Sequence, residues 1–233
     1  MRVAVVENQA RTPLGQIGRA LDEAGAELAI YRPWQDGALP SDIGAHAALV
    51  VLGGEQSAVD DAAHPYLPAL AALMRAYGEA GRAVLGVCLG AQILARGCGG
   101  SNRLGAAPEF GWREVRATAA GRSDPVLSAA GAAFPIFQWH SDTFTLPADA
   151  LHLAENADVA HQAFRLGRAA YGMQFHFEAD REVVAGWTAG FGAAAERMQP
   201  GWQGLHTSEA ARHGPAADAA GLAIARAWVA LIE

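Results

Sequence analysis

The chain has 233 residues, enough for one large domain or two small ones, with a core that needs no disulfide or metal to hold it together. Hydrophobic residues make up 52% and charged residues 18% of the sequence, which excludes intrinsic disorder. The formal net charge of -7, without a basic run, argues against a nucleic-acid partner, and the absence of lysine excludes a lysine nucleophile.

The first half of the chain alternates between strand-like and helix-like segments. Four short β-branched or apolar runs predict strands there, at residues 2–6, 27–31, 47–52 and 83–87. One intervening helix is predicted to begin at Thr12 and Pro13, as N-cap and first helical residue. Another is predicted to run from His64 and Pro65 to about Glu79. This alternation is typical of a parallel sheet with crossover helices.

The second half changes character after a Gly- and Ala-rich loop at residues 99–108. Short segments broken by Pro and Gly predict further strands, at residues 113–118, 134–139, 151–155, 161–166 and 169–177. They favour an antiparallel portion within a mixed sheet. The C-terminal part predicts helices from Asp180 to about Glu196 and from Ala216 to Ile232, with a Pro- and Gly-broken stretch between them.

The start of the chain and its cysteines bear on the cellular setting. Residues 1–8 run directly into a strand-like segment without the charged and apolar pattern of a leader. No apolar run is long enough to cross a membrane, and Cys88 and Cys98 are too few for a disulfide framework. We therefore expect a reducing, cytoplasmic setting and no membrane partner.

The sharpest chemical signal is Gly86-Val87-Cys88-Leu89-Gly90. It follows a predicted strand and precedes a helical run, the strand–nucleophile–helix turn of hydrolases with Cys in place of Ser. A turn this tight leaves no room for Cβ atoms two residues away on either side. The helix N-terminus favours a thiolate, and the Leu89 amide could donate to an oxyanion. The alternative is a buried apolar Cys in a packed strand–helix unit.

Three further features could complete such a site. In a strand, His176 and Glu178 would point to the same side, as a base and the carboxylate that orients it. Gln92 lies one helical turn beyond the cysteine, where its amide could bind a ligand. Gly53 and Gly54 end a predicted parallel strand, where the backbone can approach a ligand closely. Taken singly, these features could equally be a solvated pair, a surface amide and a tight turn.

Together and in this order, these motifs resemble the class I, triad-type glutamine amidotransferase family. VVLGGEQSAVDD resembles its oxyanion strand and Gly-Gly loop, AVLGVCLGAQILA its nucleophile elbow, and YGMQFHFE its terminal His-x-Glu signature. EFGW at 109–112 and QWHSDTFTLP at 138–147 resemble the stand-alone subgroup similar to the amidotransferase domain of GMP synthase.

The resemblance implies an α/β fold, a flavodoxin-like three-layer sandwich. A mostly parallel central sheet would be flanked by helices and joined by a smaller antiparallel portion. The resemblance covers residues 1–180, which would form the amidotransferase domain. Residues 181–233 would be a helical C-terminal extension packed on the same domain.

The resemblance also implies roles at the matching positions. Cys88 would be the nucleophile, His176 the base and later the acid, and Glu178 the residue that orients His176. The backbone amides of Gly54 and Leu89 would form the oxyanion hole.

The remaining positions concern substrate binding. Gln92 would help to hold glutamine, Gly53 would belong to the Gly-Gly loop, and His140, Ser141 and Asp142 would contact the amino-acid end of the substrate. Neither a cofactor nor a metal is expected, since no HxxxH or HxH spacing favours metal binding.

Two residues depart from the family's pattern. Phe177 stands where the family usually has Pro between His and Glu, which relaxes the backbone but preserves the spacing, so we expect the triad to survive. Glu55 follows Gly54 where many members have Pro. A carboxylate there could bind a substrate amine, alter specificity or simply be solvated.

Three functions are compatible with these residues. The first is hydrolysis of the glutamine side-chain amide through a γ-glutamyl thioester. Its ammonia would pass to an unknown acceptor or to a separate synthase partner subunit, because the chain has no segment for an ATP-using synthase domain. The first alternative is a stand-alone γ-glutamyl hydrolase or peptidase. The second is a non-catalytic ligand-binding module of the same fold.

Overall fold

A computed structural model describes all residues, Met1–Glu233. Its strands are β1 (Arg2–Val6), β2 (Glu27–Tyr31), β3 (Ala48–Val51), β4 (Ala83–Val87), β5 (Asn102–Arg103), β6 (Glu109–Ala117), β7 (Ala133–His140), β8 (Thr143–Phe144), β9 (Leu151–Glu155), β10 (Ala163–Leu166) and β11 (Ala170–Met173). Its α-helices are α1 (Gly15–Glu23), α2 (Pro33–Asp36), α3 (Leu67–Glu79), α4 (Leu89–Gly97), α5 (Ala119–Ser123), α6 (Arg181–Gly190), α7 (Gly192–Met198) and α8 (Trp202–Val229). Short 3-10 helices lie at Ile43–Ala45 and Leu127–Ala130.

Nine strands form one central sheet, in the order β2-β1-β3-β4-β11-β10-β9-β6-β7. The strands from β2 to β11 pair in parallel, and those from β11 to β7 pair antiparallel. The short strands β5 and β8 form a separate antiparallel pair. The predicted fold class, an α/β sandwich with helices on both faces of the sheet, is confirmed.

The core lies on both faces of this sheet. Because successive strand residues point to opposite faces, Val3 and Val5 of β1 join one hydrophobic cluster, and Ala4 and Val6 join the other. Helices α1 and α8 cover the first face, and α3 and α4 cover the second. Burial on both faces explains why β3 and β4 read as continuous apolar runs.

The predicted start of the first helix is wrong. Thr12 does not cap it, because its hydroxyl donates to the carbonyl of Gln9 at 3.0 Å, and Leu14 occupies the N-cap position instead. Helix α3 likewise begins at Leu67, three residues beyond the predicted His64.

The C-terminal helices also differ from the prediction. Asp180 caps α6 as expected, since its carboxylate accepts the Val183 amide at 2.9 Å, but this segment is two helices that meet at Phe191. Helix α8 then runs unbroken for 28 residues through Pro215, where the sequence predicts a break. Buried residues on both sides of Pro215 pack on the core, and this packing outweighs the local preference of proline.

Residues 181–233 share the core of the sheet. Trp202 and Trp228 of α8 are fully buried in the same cluster as Phe137 of β7. The rings of Trp202 and Phe137 lie 6.1 Å apart, and the Trp202 indole donates to the Thr188 hydroxyl at 3.0 Å. No helix combines the length and the apolar character needed to cross a bilayer. The division of the chain at residue 180 stays a prediction.

Replacing Trp202 with alanine should lower the free energy of unfolding by about 3–5 kcal/mol, because it empties a buried aromatic site between α8 and the sheet. Urea denaturation monitored by circular dichroism measures the change. The control is Leu205→Ala on the same helix, where the side chain is 42% exposed and the expected change is below about 0.5 kcal/mol. Similar small effects for both variants would show that α8 is not part of this core.

Candidate active site

Cys88 occupies a strained turn between β4 and α4. Its φ of 51° and ψ of -107° lie outside the regions that side-chain-bearing residues normally adopt. A Cβ on Gly86 would collide with the Gly90 carbonyl, and a Cβ on Gly90 would collide with the Val51 carbonyl. The two glycines therefore have the steric role that the sequence predicts for them.

His176 and Glu178 are hydrogen-bonded to each other, but a turn rather than the predicted strand brings them together. The predicted strand at 169–177 is wrong beyond Met173, where β11 ends. The His176 amide donates to the Phe137 carbonyl at 2.8 Å in an isolated bridge, and Glu178 lies in the turn that follows. The imidazole Nδ1 of His176 lies 2.7 Å from Oε1 of Glu178, with both side chains more than nine-tenths buried.

Phe177 fits between these two residues without the usual proline. Its side chain is fully buried, and its ring lies 6.3 Å from that of Phe175. Its carbonyl accepts the side-chain amide of Gln16 at 2.9 Å. Core packing and this hydrogen bond hold the backbone here, where a proline ring would otherwise restrict it.

The charges around His176 favour its protonated form. Burial opposes a positive charge on the ring, but the negative charges of Glu178 and of a Cys88 thiolate outweigh burial and raise the pKa of His176 well above its usual 6.5. Trp187 of α6 packs edge-on to the ring, with centroids 5.1 Å apart. The base therefore lies between a carboxylate, a thiol and an aromatic wall.

Gly53 lies beside both the cysteine and the imidazole. A Cβ at this position would lie 3.3 Å from Cε1 of His176 and 3.6 Å from Cβ of Cys88. Any side chain there would intrude between nucleophile and base. The Cys88 thiol also lies 3.8 Å from the carbonyl oxygen of Trp139, at the end of β7.

Gln92 projects from α4 into the same pocket. Its amide nitrogen donates to the side-chain oxygen of Gln174 at 3.1 Å and to the carbonyl of Asp142 at 3.3 Å. Both hydrogens of this nitrogen are thereby used. The side-chain oxygen of Gln92 is left to accept a hydrogen bond from a ligand.

The side chains of the 140–142 loop are held by the protein itself. The His140 ring is 1% exposed, with Nδ1 3.0 Å from the Asp142 carbonyl and Nε2 3.1 Å from the Glu109 carboxylate. The Ser141 hydroxyl lies 3.7 Å from the sulfur of Met198, and the Asp142 carboxylate accepts the Gly105 amide at 2.8 Å. His140 thus has no ring nitrogen free for a substrate.

A pocket of about 430 Å³ contains every site residue that the sequence predicts. These residues are Cys88, His176, Glu178, Gly53, Gly54, Leu89, Gln92, His140, Ser141 and Asp142. Glu55 lies at the exposed mouth, where its amide donates to the side chain of Gln9 at 3.1 Å.

The helices after residue 180 supply part of the pocket that sequence reasoning missed. Trp187 of α6, the N-cap residue Phe191 of α7 and three residues of α7 line it, namely Ala194, Arg197 and Met198. The signal in the sequence is their spacing of three or four residues, which places them on one helix face. Arg197 is the only Arg or Lys of the lining, and the structure gives it no ion pair or hydrogen bond.

A family model, glutamine amidotransferase class-I, matches residues 15–183. The chain belongs to the class-I glutamine amidotransferase family, whose general activity is hydrolysis of the glutamine amide. Within the family it falls with the stand-alone proteins similar to the amidotransferase domain of GMP synthase.

Three relatives illustrate this placement. The chain is 29% identical over 189 residues to the glutamine amidotransferase-like protein YfeJ of Salmonella typhimurium, covering 80% of this chain and 79% of YfeJ. It is 31% identical over 140 residues to GMP synthase of Edwardsiella ictaluri, covering 55% of this chain but 25% of the synthase. The crystal structure of a glutamine amidotransferase from Methylobacillus flagellatus superposes with a TM-score of 0.85 at 27% identity, covering 100% of this chain and 95% of that one.

Replacing Glu178 with glutamine should lower the pKa of His176, because it removes the carboxylate charge that stabilises the imidazolium. The wild-type ring should stay protonated through neutral pH, whereas the variant ring should lose its proton at lower pH. NMR titration of the histidine ring signals measures both. Glu182→Gln, at an exposed position in the first turn of α6, is the matched control. An unchanged His176 titration in Glu178→Gln would contradict the assigned cause.

Proposed function

We propose that this protein hydrolyses the side-chain amide of glutamine to glutamate and ammonia through a γ-glutamyl thioester on Cys88. The observation that supports this most is the strained Cys88 turn in one pocket with the buried His176–Glu178 pair, beside Gly53. A ligand-binding module without catalysis would have no need of a strained cysteine or of a buried ion pair beside it.

In the first half of the reaction, the Cys88 thiolate attacks the γ-carbonyl carbon. The resulting oxyanion accepts hydrogen bonds from the backbone amides of Gly54 and Leu89. Leu89 is the first residue of α4, and such amides have no acceptor within their own helix. The His176 imidazolium then gives its proton to the nitrogen, the C–N bond breaks, and ammonia leaves.

In the second half, His176 acts as a base. It takes a proton from water, the hydroxide attacks the thioester carbon, and the C–S bond breaks to release glutamate and restore the thiolate. Glu178 keeps Nδ1 of the ring occupied, so Nε2 is the nitrogen that exchanges protons with the substrate.

At the amino-acid end, Arg197 binds the α-carboxylate of the substrate. It is the only Arg or Lys of the lining and has no protein partner, so a carboxylate would be its first. The side-chain oxygen of Gln92 and the carboxylate of Glu55 are acceptors for an ammonium group. The side chains of the 140–142 loop shape this end rather than contacting the substrate through His140.

The ammonia passes to a partner synthase subunit. The match to GMP synthase of Edwardsiella ictaluri covers a quarter of that protein, and this partial match supports a synthase activity that these 233 residues do not supply. Unpaired thiols at Cys88 and Cys98 support a reducing compartment such as the cytoplasm. Residues 1–180 form the amidotransferase domain, and residues 181–233 are an extension that completes its pocket.

A γ-glutamyl hydrolase acting without a partner is the second candidate. It is favoured by the apolar wall of Trp187, Phe191 and Met198, which could receive a leaving group larger than ammonia. The thioester chemistry at Cys88 would be the same for both candidates.

Cys88→Ala should reduce glutamine hydrolysis by at least about 10⁴-fold, since the nucleophile is lost, and should block labelling by an electrophilic glutamine analogue. Cys98→Ala is the control, because burial raises the pKa of the Cys98 thiol and makes it a poorer nucleophile. Peptide-mapping mass spectrometry should locate the adduct on Cys88, and excess glutamine should prevent it. Full activity in Cys88→Ala would refute the proposal. A marked preference for γ-glutamyl amides over glutamine would favour the second candidate.

Arg197→Gln should raise KM for glutamine about tenfold while kcat changes little, because the lost contact is remote from the reacting carbon. The test compares glutamine with its α-carboxamide analogue. Wild type should prefer glutamine, and the variant should lose most of this preference. Arg212→Gln, on an exposed part of α8, is the matched control. Equal discrimination in wild type and Arg197→Gln would remove Arg197 from the substrate site.

A further inference from the structure

A buried histidine–carboxylate pair lies behind the 140–142 loop and takes no part in the reaction steps above. Glu109 opens β6 and His140 ends β7, and the two residues face each other in the register of this antiparallel pair. Their side chains are 3% and 1% exposed, with Nε2 of His140 3.1 Å from Oε2 of Glu109. A charged pair so far from water requires a full set of hydrogen-bond partners.

The partners of the His140 ring are both acceptors. Nε2 faces the Glu109 carboxylate, and Nδ1 faces the backbone carbonyl of Asp142 at 3.0 Å. A neutral imidazole has one N–H only, so one of these contacts would set two lone pairs against each other. Hydrogens on both nitrogens satisfy both contacts, which makes the ring an imidazolium.

The partners of Glu109 are all donors. Its carboxylate accepts the side-chain amides of Asn156 and Gln162, each at 2.6 Å, in addition to His140. Burial alone would raise the pKa of Glu109, but these hydrogen bonds and the charge of His140 outweigh burial and lower it. The carboxylate is therefore ionised, and it presents only acceptor oxygens to the His140 ring.

The Glu109–His140 pair is connected to the pocket through the carbonyl oxygen of Asp142. The Asp142 carbonyl that accepts His140 Nδ1 also accepts the side-chain amide of Gln92 at 3.3 Å. Gln92 is in turn held by Gln174 and lines the pocket. Glu109 thus lies two hydrogen bonds away from the Asp142 carbonyl that anchors the substrate-facing side chain of Gln92.

We infer that Glu109 is a positioning residue for the proposed hydrolysis: it keeps His140 doubly protonated, and His140 fixes the Asp142 carbonyl that orients Gln92 at the substrate end. This rests on the proposed function, because Gln92 is useful only if a substrate occupies the pocket. Glu109 itself does not line the pocket and contacts no reacting atom.

Glu109→Gln replaces the carboxylate with a neutral group of the same shape. Oε2 of Glu109 faces both His140 Nε2 and the side-chain amide of Gln162, so a glutamine cannot satisfy both partners. If its NH2 group faces Nε2, Gln162 loses its acceptor, and if its oxygen faces Nε2, Nδ1 of a neutral ring is left as an acceptor against the Asp142 carbonyl. The loop shifts to relieve this contact, and Gln92 loses one of its two anchors. The cysteine, His176 and Glu178 keep their own contacts, which do not involve Glu109.

NMR of the wild-type histidine rings tests the protonation state without any variant. At neutral pH, His140 should show two slowly exchanging ring N–H signals, assigned by their loss in His140→Asn. Glu109→Gln should leave one of them. A neutral His140 ring in the wild type would overturn the inference even if Glu109→Gln fails to fold.

Glutamine binding tests the positioning role. In a Cys88→Ala background, which prevents turnover, Glu109→Gln should weaken glutamine binding about tenfold by calorimetry. Glu114→Gln, on the same strand but 57% exposed, is the matched control and should bind as the parent does. With Cys88 present, Glu109→Gln should raise KM more than it lowers kcat.

The outcomes of the binding test separate the two claims. Unchanged glutamine binding and KM in Glu109→Gln would overturn the positioning role and leave the proposed hydrolysis intact. Hydrolysis that survives in Cys88→Ala would overturn the proposed function, while the NMR signals would still decide the ion pair.

Discussion

The conformation of Cys88 is the constraint on which the rest of this structure depends. A residue with a side chain takes positive φ at a cost, and the surrounding backbone must hold it there. Here β4, the first turn of α4 and the end of β3 approach so closely that only glycine fits at positions 86 and 90. This conformation holds the Cys88 thiol at the carboxyl edge of the sheet, next to the first backbone amides of α4. The pairing of the parallel strands β3 and β4 brings these backbone segments together.

The antiparallel half of the sheet positions two buried histidine–carboxylate pairs at or near the pocket. His176 is pinned to β7 through Phe137, and Glu109 and His140 close the end of the β6–β7 pair. Each histidine is matched with a carboxylate, but the surroundings differ. His176 also faces a thiol, whereas both ring nitrogens of His140 face acceptors of the protein itself.

Local patterns predicted most of the fold and the candidate residues that the structure brings together around Cys88. The apolar runs of β1, β2 and β4 and the Gly-x-Cys-x-Gly turn are set by neighbours in the chain, so their boundaries could be read directly. The continuation of α8 through Pro215 depends on burial against distant strands, which local propensity does not contain. His176 and Glu178 were paired correctly for an incorrect reason, since a turn and not a strand brings them together. Arg197 was missed because its helix is Ala-rich and carries no strong pattern.

The hydrogen bonds of Gln92 determine which group of a ligand it can bind. Both of its N–H groups are committed to protein acceptors, so it meets a ligand only through an oxygen. A zwitterion can turn its ammonium toward that oxygen but not its carboxylate. The Arg197 guanidinium, on another wall of the pocket, would instead attract the carboxylate of the zwitterion. Under the proposed function, these two contacts and the side-chain amide held at Cys88 would fix an amino acid at three points, so the pocket would distinguish its handedness as well as its length.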